Sequence, residues 1–274
     1  LPWVNIVKID VLQLSDTELE EHVELLREYD VTLLAEKVET HEMYQRCSDL
    51  GFELFQGYFL CRPQLISGKK IPASKLLVIE LLARLQDSET TNVELEALIG
   101  RDPVLSYQLL RLVNSACYML SHKVESLARA ITYLGLNQVR SLASLLALTN
   151  LSDKPSALKD QSVIRAKMCE LLGVKICKAD ASILFSIGLL STLDAYFDQP
   201  LKKVISKMPL RDDLVAALLR KTGLFGKILG VVISLEKTEI NKIDWPFLSR
   251  YNVTPEDINE IYQESIIWSQ TSGI

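Results

Sequence analysis

VTLLAEKVETHEMYQRCSDLGFELFQGYF, residues 31–59, decides the fold of the amino-terminal part of the chain. It opens with a β-branched and aliphatic run of strand length, VTLLAE (31–36), and closes with a second, FELFQGYF (52–59). A polar helical segment lies between them. Gly51, directly after Leu50, is where that helix should stop, because glycine takes the left-handed cap without a steric penalty. Upstream, VNIVKID (4–10) is another run of the same kind, and Ser15 with Glu18 forms a capping box ahead of Leu19, Val23 and Leu26. The order strand, helix, strand, helix, strand predicts a parallel sheet with right-handed crossovers.

The texture changes near residue 67. QLISGKKIPASK (64–75) mixes Gly, Pro, Ser and Lys, which is linker chemistry. Beyond it no run reads as a strand, and the text is helical by period and by punctuation. Thr91 with Glu94 is a capping box, Asp102 before Pro103 pairs an N-cap with a first-turn proline, and Thr254 before Pro255 repeats that device. Apolar spacings of three and four recur in Leu105, Leu109, Leu112 and Val113, and in Leu142, Leu145, Leu146 and Leu148. GLFGKILG (223–230) lacks both the GK[ST] ending and the preceding strand of a phosphate loop, so it reads as a helix start. The division expected is a β/α segment over 1–67, a linker over 68–75 and a helical domain over 76–274.

Composition narrows the function classes. At 274 residues and 48% hydrophobic the chain can bury a sizeable core. A net charge of -5 offers no polybasic footprint, which argues against nucleic acid as a partner. The cysteines, Cys47, Cys61, Cys117, Cys169 and Cys177, are scattered and never form a CxxC pair, as expected of reduced thiols in a cytoplasmic protein. No apolar run reaches the ~18 residues of a membrane span. The chain starts at Leu1 without a methionine, and a fragment of something longer is expected.

Lys8 and Asp10 end the first strand, Glu36 ends the second and Gln56 falls near the end of the third, so they share one face of the sheet. Polar strand ends are commonplace and need have no function. Yet VKID (7–10), LLAEKVET (33–40) and FQGYFLCRP (55–63) resemble, in order and spacing, the last three signature blocks of EAL domains, phosphodiesterases that linearise cyclic di-GMP. The resemblance implies that Lys8 matches the active-site lysine, Glu36 and Glu39 the two glutamates of the EGVET block, and Gln56 the glutamine of the QGY block. Lys37 stands where that family has glycine, placing a cation between the two carboxylates. The family's other carboxylate strands are missing here, and three strands cannot close an eight-stranded barrel. A degenerate barrel remnant is expected.

IGRDPVLSYQLLRLVNSACY (99–118) and SLARAITYLGLNQVRSLASLLAL (126–148), with RAKMCELLG (165–173) and YQESIIWSQ (262–270), are similar to the HDOD domain. That family is an all-helical relative of HD metal phosphohydrolases without their ligands. There is no His-Asp dipeptide; Ser191 and Thr192 stand at the corresponding place, and the histidines are His22, His41 and His122 alone. Cys117 reads as a packing residue and Asn114 with Ser115 as a turn or cap. The reading is therefore an α/β segment of about three strands followed by a larger all-α, HD-like domain. It is expected to be non-catalytic, without metal or cofactor, acting in a bacterial signalling pathway through a protein partner. The alternative is a cyclic di-GMP sensor or phosphodiesterase using Lys8, Glu36, Glu39 and Gln56. Two further expectations concern surfaces: a twofold dimer formed along the 4–10 edge, and packing of the β/α segment on helix 76–86.

Overall fold

The computed structural model of the chain describes residues 4–57, 59, 71–118, 122–151, 153–177 and 181–272. It divides into two units, Leu1–Gln64 and Leu65–Ile274. The first is α/β and the second helical.

In the first unit β1 (Ile6–Asp10), α1 (Asp16–Leu26), β2 (Thr32–Glu36), α2 (His41–Leu50) and β3 (Leu54–Phe55) alternate. The strands pair in the order β1-β2-β3, all parallel, with Asp10 opposite Glu36 and Ala35 opposite Phe55. The predicted helix signals act as expected: Ser15 and Glu18 close a reciprocal capping box, and Gly51 caps α2 at φ 98°. One sheet face buries Ile9, Leu33 and Ala35 with Leu19 and Val23 of α1 and Cys47 of α2. Tyr44 lies against Phe55 and stacks on Phe59 at 4.8 Å. Because side chains alternate across a strand, Ile6, Lys8, Leu34 and Leu54 belong to the opposite face, where Ile6 is 48% exposed.

The strands are shorter than the sequence runs, and the third most of all. Its ladder does not stop at Phe55 but bends. Gln56 N–H donates to the Ala35 carbonyl at 2.8 Å, Val38 N–H donates to the Gln56 carbonyl at 3.0 Å, and Phe59 N–H donates to that of Val38 at 3.2 Å. The bend follows Lys37, whose φ of 61° turns the chain out of β2. A Cβ at Gly57 would fall on the Val38 backbone, so only glycine permits this approach. Tyr58 and residues 60–63 of the third block lie outside the described residues.

The second unit runs α3 (Ala73–Leu85), α4 (Asn92–Gly100), α5 (Pro103–Val113), α6 (Leu127–Leu134), α7 (Leu136–Thr149), α8 (Ser156–Cys177) and α9 (Ala181–Leu190). It continues through α10 (Leu193–Phe197), α11 (Leu201–Ile205), α12 (Asp212–Arg220), α13 (Gly223–Glu236), α14 (Trp245–Ser249) and α15 (Pro255–Thr271). No strand occurs in this unit among the described residues. Of the expected linker, 68–70 lie outside the described residues and Ala73–Lys75 form the first turn of α3. Lys75 is held inside by the Tyr196 carbonyl at 2.9 Å and Asp153 at 2.7 Å.

Every residue of α7 from Val139 to Thr149 is buried, and so is α9 from Leu184 to Leu190. A helix wrapped on all sides is the centre of its domain. Each fully buried leucine there, such as Leu142, Leu145 or Leu189, contributes about 1.5–3 kcal/mol by leaving water. The long helix α8 packs along α9 at Gly188, where a Cβ would come within 2.8 Å of Ala166 Cα. α15 lies against α8, its start fixed by a box in which Thr254 and Asp257 cap each other.

Candidate functional site

The parallel register brings four charges to the carboxyl ends of β1 and β2. Lys8 Nζ donates to Glu36 Oε1 at 2.6 Å, and Lys37 Nζ donates to Asp10 Oδ2 at 2.5 Å. The bond from Lys37 holds the Asp10 carboxyl below its usual range, and Asp10 in turn raises Lys37. Gln56, exposed, is brought alongside by its backbone bonds to Ala35 and Val38. Glu39 lies half-buried beyond the bend, in the turn leading to the Thr40 cap of α2. The cation of Lys37 therefore does not sit between Glu36 and Glu39 as expected. Its left-handed backbone aims the side chain back across the sheet to Asp10.

Magnitudes show that this ion pair is not there for stability. A left-handed backbone costs a residue with a Cβ about 1–2 kcal/mol. An exposed pair contributes about 0.2–1 kcal/mol, and the Lys37 and Asp10 side chains are 51% and 21% exposed. The strain is at best partly offset.

In the helical unit, Ser191 and Thr192 occupy the turn between α9 and α10, and both are buried. Their hydroxyls donate back to the Gly188 and Leu189 carbonyls at 2.7 Å each, closing the end of α9. A guanidinium stands beside them: Arg165 Nη1 donates to Ser191 Oγ at 3.0 Å. The same arginine grips Glu236 through Nε at 2.8 Å and Nη2 at 2.5 Å, and Gln161 adds a bond to that carboxylate at 3.2 Å. Ser162 donates to Thr192 Oγ1 at 3.2 Å.

Around this pair burial sets the protonation chemistry. It raises the Asp194 carboxyl, pushes the Cys169 thiol up to about 12 and brings Lys221 down to about 8, the last with help from the Arg165 charge. Sequence reading missed Arg165 and Glu236 as partners, because they lie 71 positions apart. The one available signal was Glu236 closing the largely apolar helix Gly223–Glu236.

A metal is the group that HD-type folds imply for this place, and the residues do not fit one. Hydroxyls stand where imidazole and carboxylate ligands are needed, and a fixed cation, Arg165, already neutralises the Glu236 carboxylate. Among the described residues no cluster of three or more His, Cys, Asp or Glu could hold a metal ion.

Asn114, expected as a turn or cap, ends α5 and ties down the following loop. Its amide donates to the Leu110 and Val124 carbonyls and accepts from Val124 N–H. Cys117 Sγ lies 3.1 Å from Thr271 Oγ1, and His122 is exposed in its loop.

Comparison with known proteins identifies part of the helical unit. Residues 71–197 match the HDOD domain, so the helical unit carries an HDOD domain. Cyclic di-GMP phosphodiesterase CdgJ of Vibrio cholerae is 32% identical over 98% of this chain, and YuxH of Bacillus subtilis 31% over 98%. The chain spans 63% and 66% of the lengths of those two relatives. A putative metal-dependent phosphohydrolase from Shewanella amazonensis shares the helical fold, with a TM-score of 0.52 over 74% of this chain and 92% of its own, at 16% identity.

The expectation that the chain is not an enzyme is overturned by these relatives. A protein 32% identical across nearly the whole chain carries the name of a phosphodiesterase. That relative is longer than this chain by more than half. No helix among the described residues is long and apolar enough to cross a membrane.

Proposed function

We propose that this chain belongs to a cyclic di-GMP signalling protein, in which the carboxyl ends of β1, β2 and β3 carry part of a phosphodiesterase site and the HDOD unit is its partner domain. The observation that carries the reading is the Lys8–Glu36 pair with Gln56 alongside at one end of a parallel sheet. In β/α barrels that end is where chemistry gathers, because the loops after the strands converge there. The relative named for this activity supports the same reading.

Lys8 supplies a cation for a phosphodiester oxygen, Gln56 a donor and acceptor for the dinucleotide, and Glu36 the carboxylate that holds Lys8 in place. Hydrolysis of a phosphodiester needs further groups on both attacking and leaving oxygens. The reading assigns these to the part of the protein corresponding to the rest of the longer relatives.

The test is conversion of cyclic di-GMP to the linear dinucleotide by the whole protein. Glu36→Gln and Lys8→Ala should each lower turnover by at least a hundredfold, on the order of 3 kcal/mol of transition-state stabilisation. Turnover that survives both substitutions would show that the chemistry resides elsewhere.

A further inference from the structure

Lys37 has a feature that its neighbours lack. Among the described residues, four other non-glycine residues with left-handed backbone, Asp198, Lys221, Thr238 and Asn252, each follow a helix, where such a conformation caps orphan carbonyls. Lys37 instead ends a strand, and its ion pair is too exposed to offset the strain. A strained, solvent-facing residue beside a candidate site points to a role toward ligand.

The charges indicate what that ligand is. Lys8 and Lys37 stand on the same end of the sheet with side chains 54% and 51% exposed, each resting on one carboxylate. The four groups sum to zero, and both ammoniums end flexible stems that can turn outward. A cyclic dinucleotide carries two phosphodiesters, one negative charge on each. Two exposed ammoniums match that count, Lys37 resting on Asp10 when the site is empty and Lys8 steadied by Glu36.

We infer that Lys37 is a second phosphate-contacting residue, which leaves Asp10 to grip one phosphodiester of the bound cyclic dinucleotide while Lys8 grips the other. This rests on the reading that the site takes cyclic di-GMP. It adds that Lys37 and Lys8 take two separate phosphodiesters, so the site should bind cyclic di-GMP more tightly than GMP, whose charge sits on a single phosphate.

Calorimetry on the whole protein separates the two claims, with cyclic di-GMP and GMP as probes for wild type, Lys8→Ala, Lys37→Gly and Lys37→Arg. Lys37→Gly should weaken cyclic di-GMP binding about tenfold or more, as the loss of one charged hydrogen bond does, and should flatten its salt dependence. Lys37→Arg, which keeps the charge, should bind within a few-fold of wild type. The urea midpoint of Lys37→Gly should not fall, since glycine relieves the strained backbone. Wild-type binding that Lys8→Ala weakens and Lys37→Gly leaves unchanged overturns the role of Lys37 alone. Absence of wild-type binding overturns both readings together.

Discussion

Removing one member of the Arg165–Glu236 pair should cost more than removing both. The side chains are 2% and 6% exposed. Two unit charges about 4 Å apart attract by about 4 kcal/mol at an effective dielectric near 20. A lone survivor forfeits that attraction and stays in the core, for a loss of about 3–5 kcal/mol. Arg165→Met leaves Glu236 with Gln161 still bonded at 3.2 Å, so the lower end, about 3 kcal/mol, is expected. Glu236→Met strands a guanidinium beside Lys221, whose charge it already disfavours, and should reach the upper end, about 5 kcal/mol. Either is a large part of the ~5–15 kcal/mol that holds a domain folded. The double variant Arg165→Met/Glu236→Met replaces a desolvated pair with apolar surface and should lose less than either single change. Urea unfolding followed by far-ultraviolet circular dichroism supplies the four midpoints of the cycle. Losses that simply add, or single losses below about 1 kcal/mol, would show that the pair is not the buried electrostatic clamp described.

Gly57→Ala should unfold or loosen the α/β unit while leaving the helical one intact, because the new Cβ meets the Val38 backbone; hydrogen exchange resolved by unit would show it, and uniform protection would refute it. Lys175, paired at 2.5 Å, and the Thr254 cap hold Asp257 down at about 2 against an ordinary 3.8. A depressed carboxylate contributes stability that is present above 3.8 and lost as pH falls through about 2. Asp257→Asn should therefore destabilise docking of α15 at neutral pH and lose that difference in acid, measured as unfolding midpoint against pH.

How much could be read from sequence depended on the distance between partners. Ser15 with Glu18, Thr91 with Glu94, and Thr254 at Pro255 lie within a helical turn of what they cap, so residue type and spacing specify them. The alternation of strand and helix over 4–59 likewise determined a parallel sheet, since crossovers leave few other solutions. The same alternation places Lys8, Glu36 and Gln56 at one end of that sheet.

What the tertiary structure decided was which charges meet. Lys37 chose Asp10, 27 positions away, over its sequence neighbours Glu36 and Glu39, because φ of 61° reverses its direction. Ser191 and Thr192 could be recognised as lacking metal ligands, but nothing local told that Arg165 and Glu236 would fill the space beside them. A one-turn motif carries its own geometry, whereas a buried ion pair between distant helices exists only once the packing of α8, α9 and α13 has excluded water from around it.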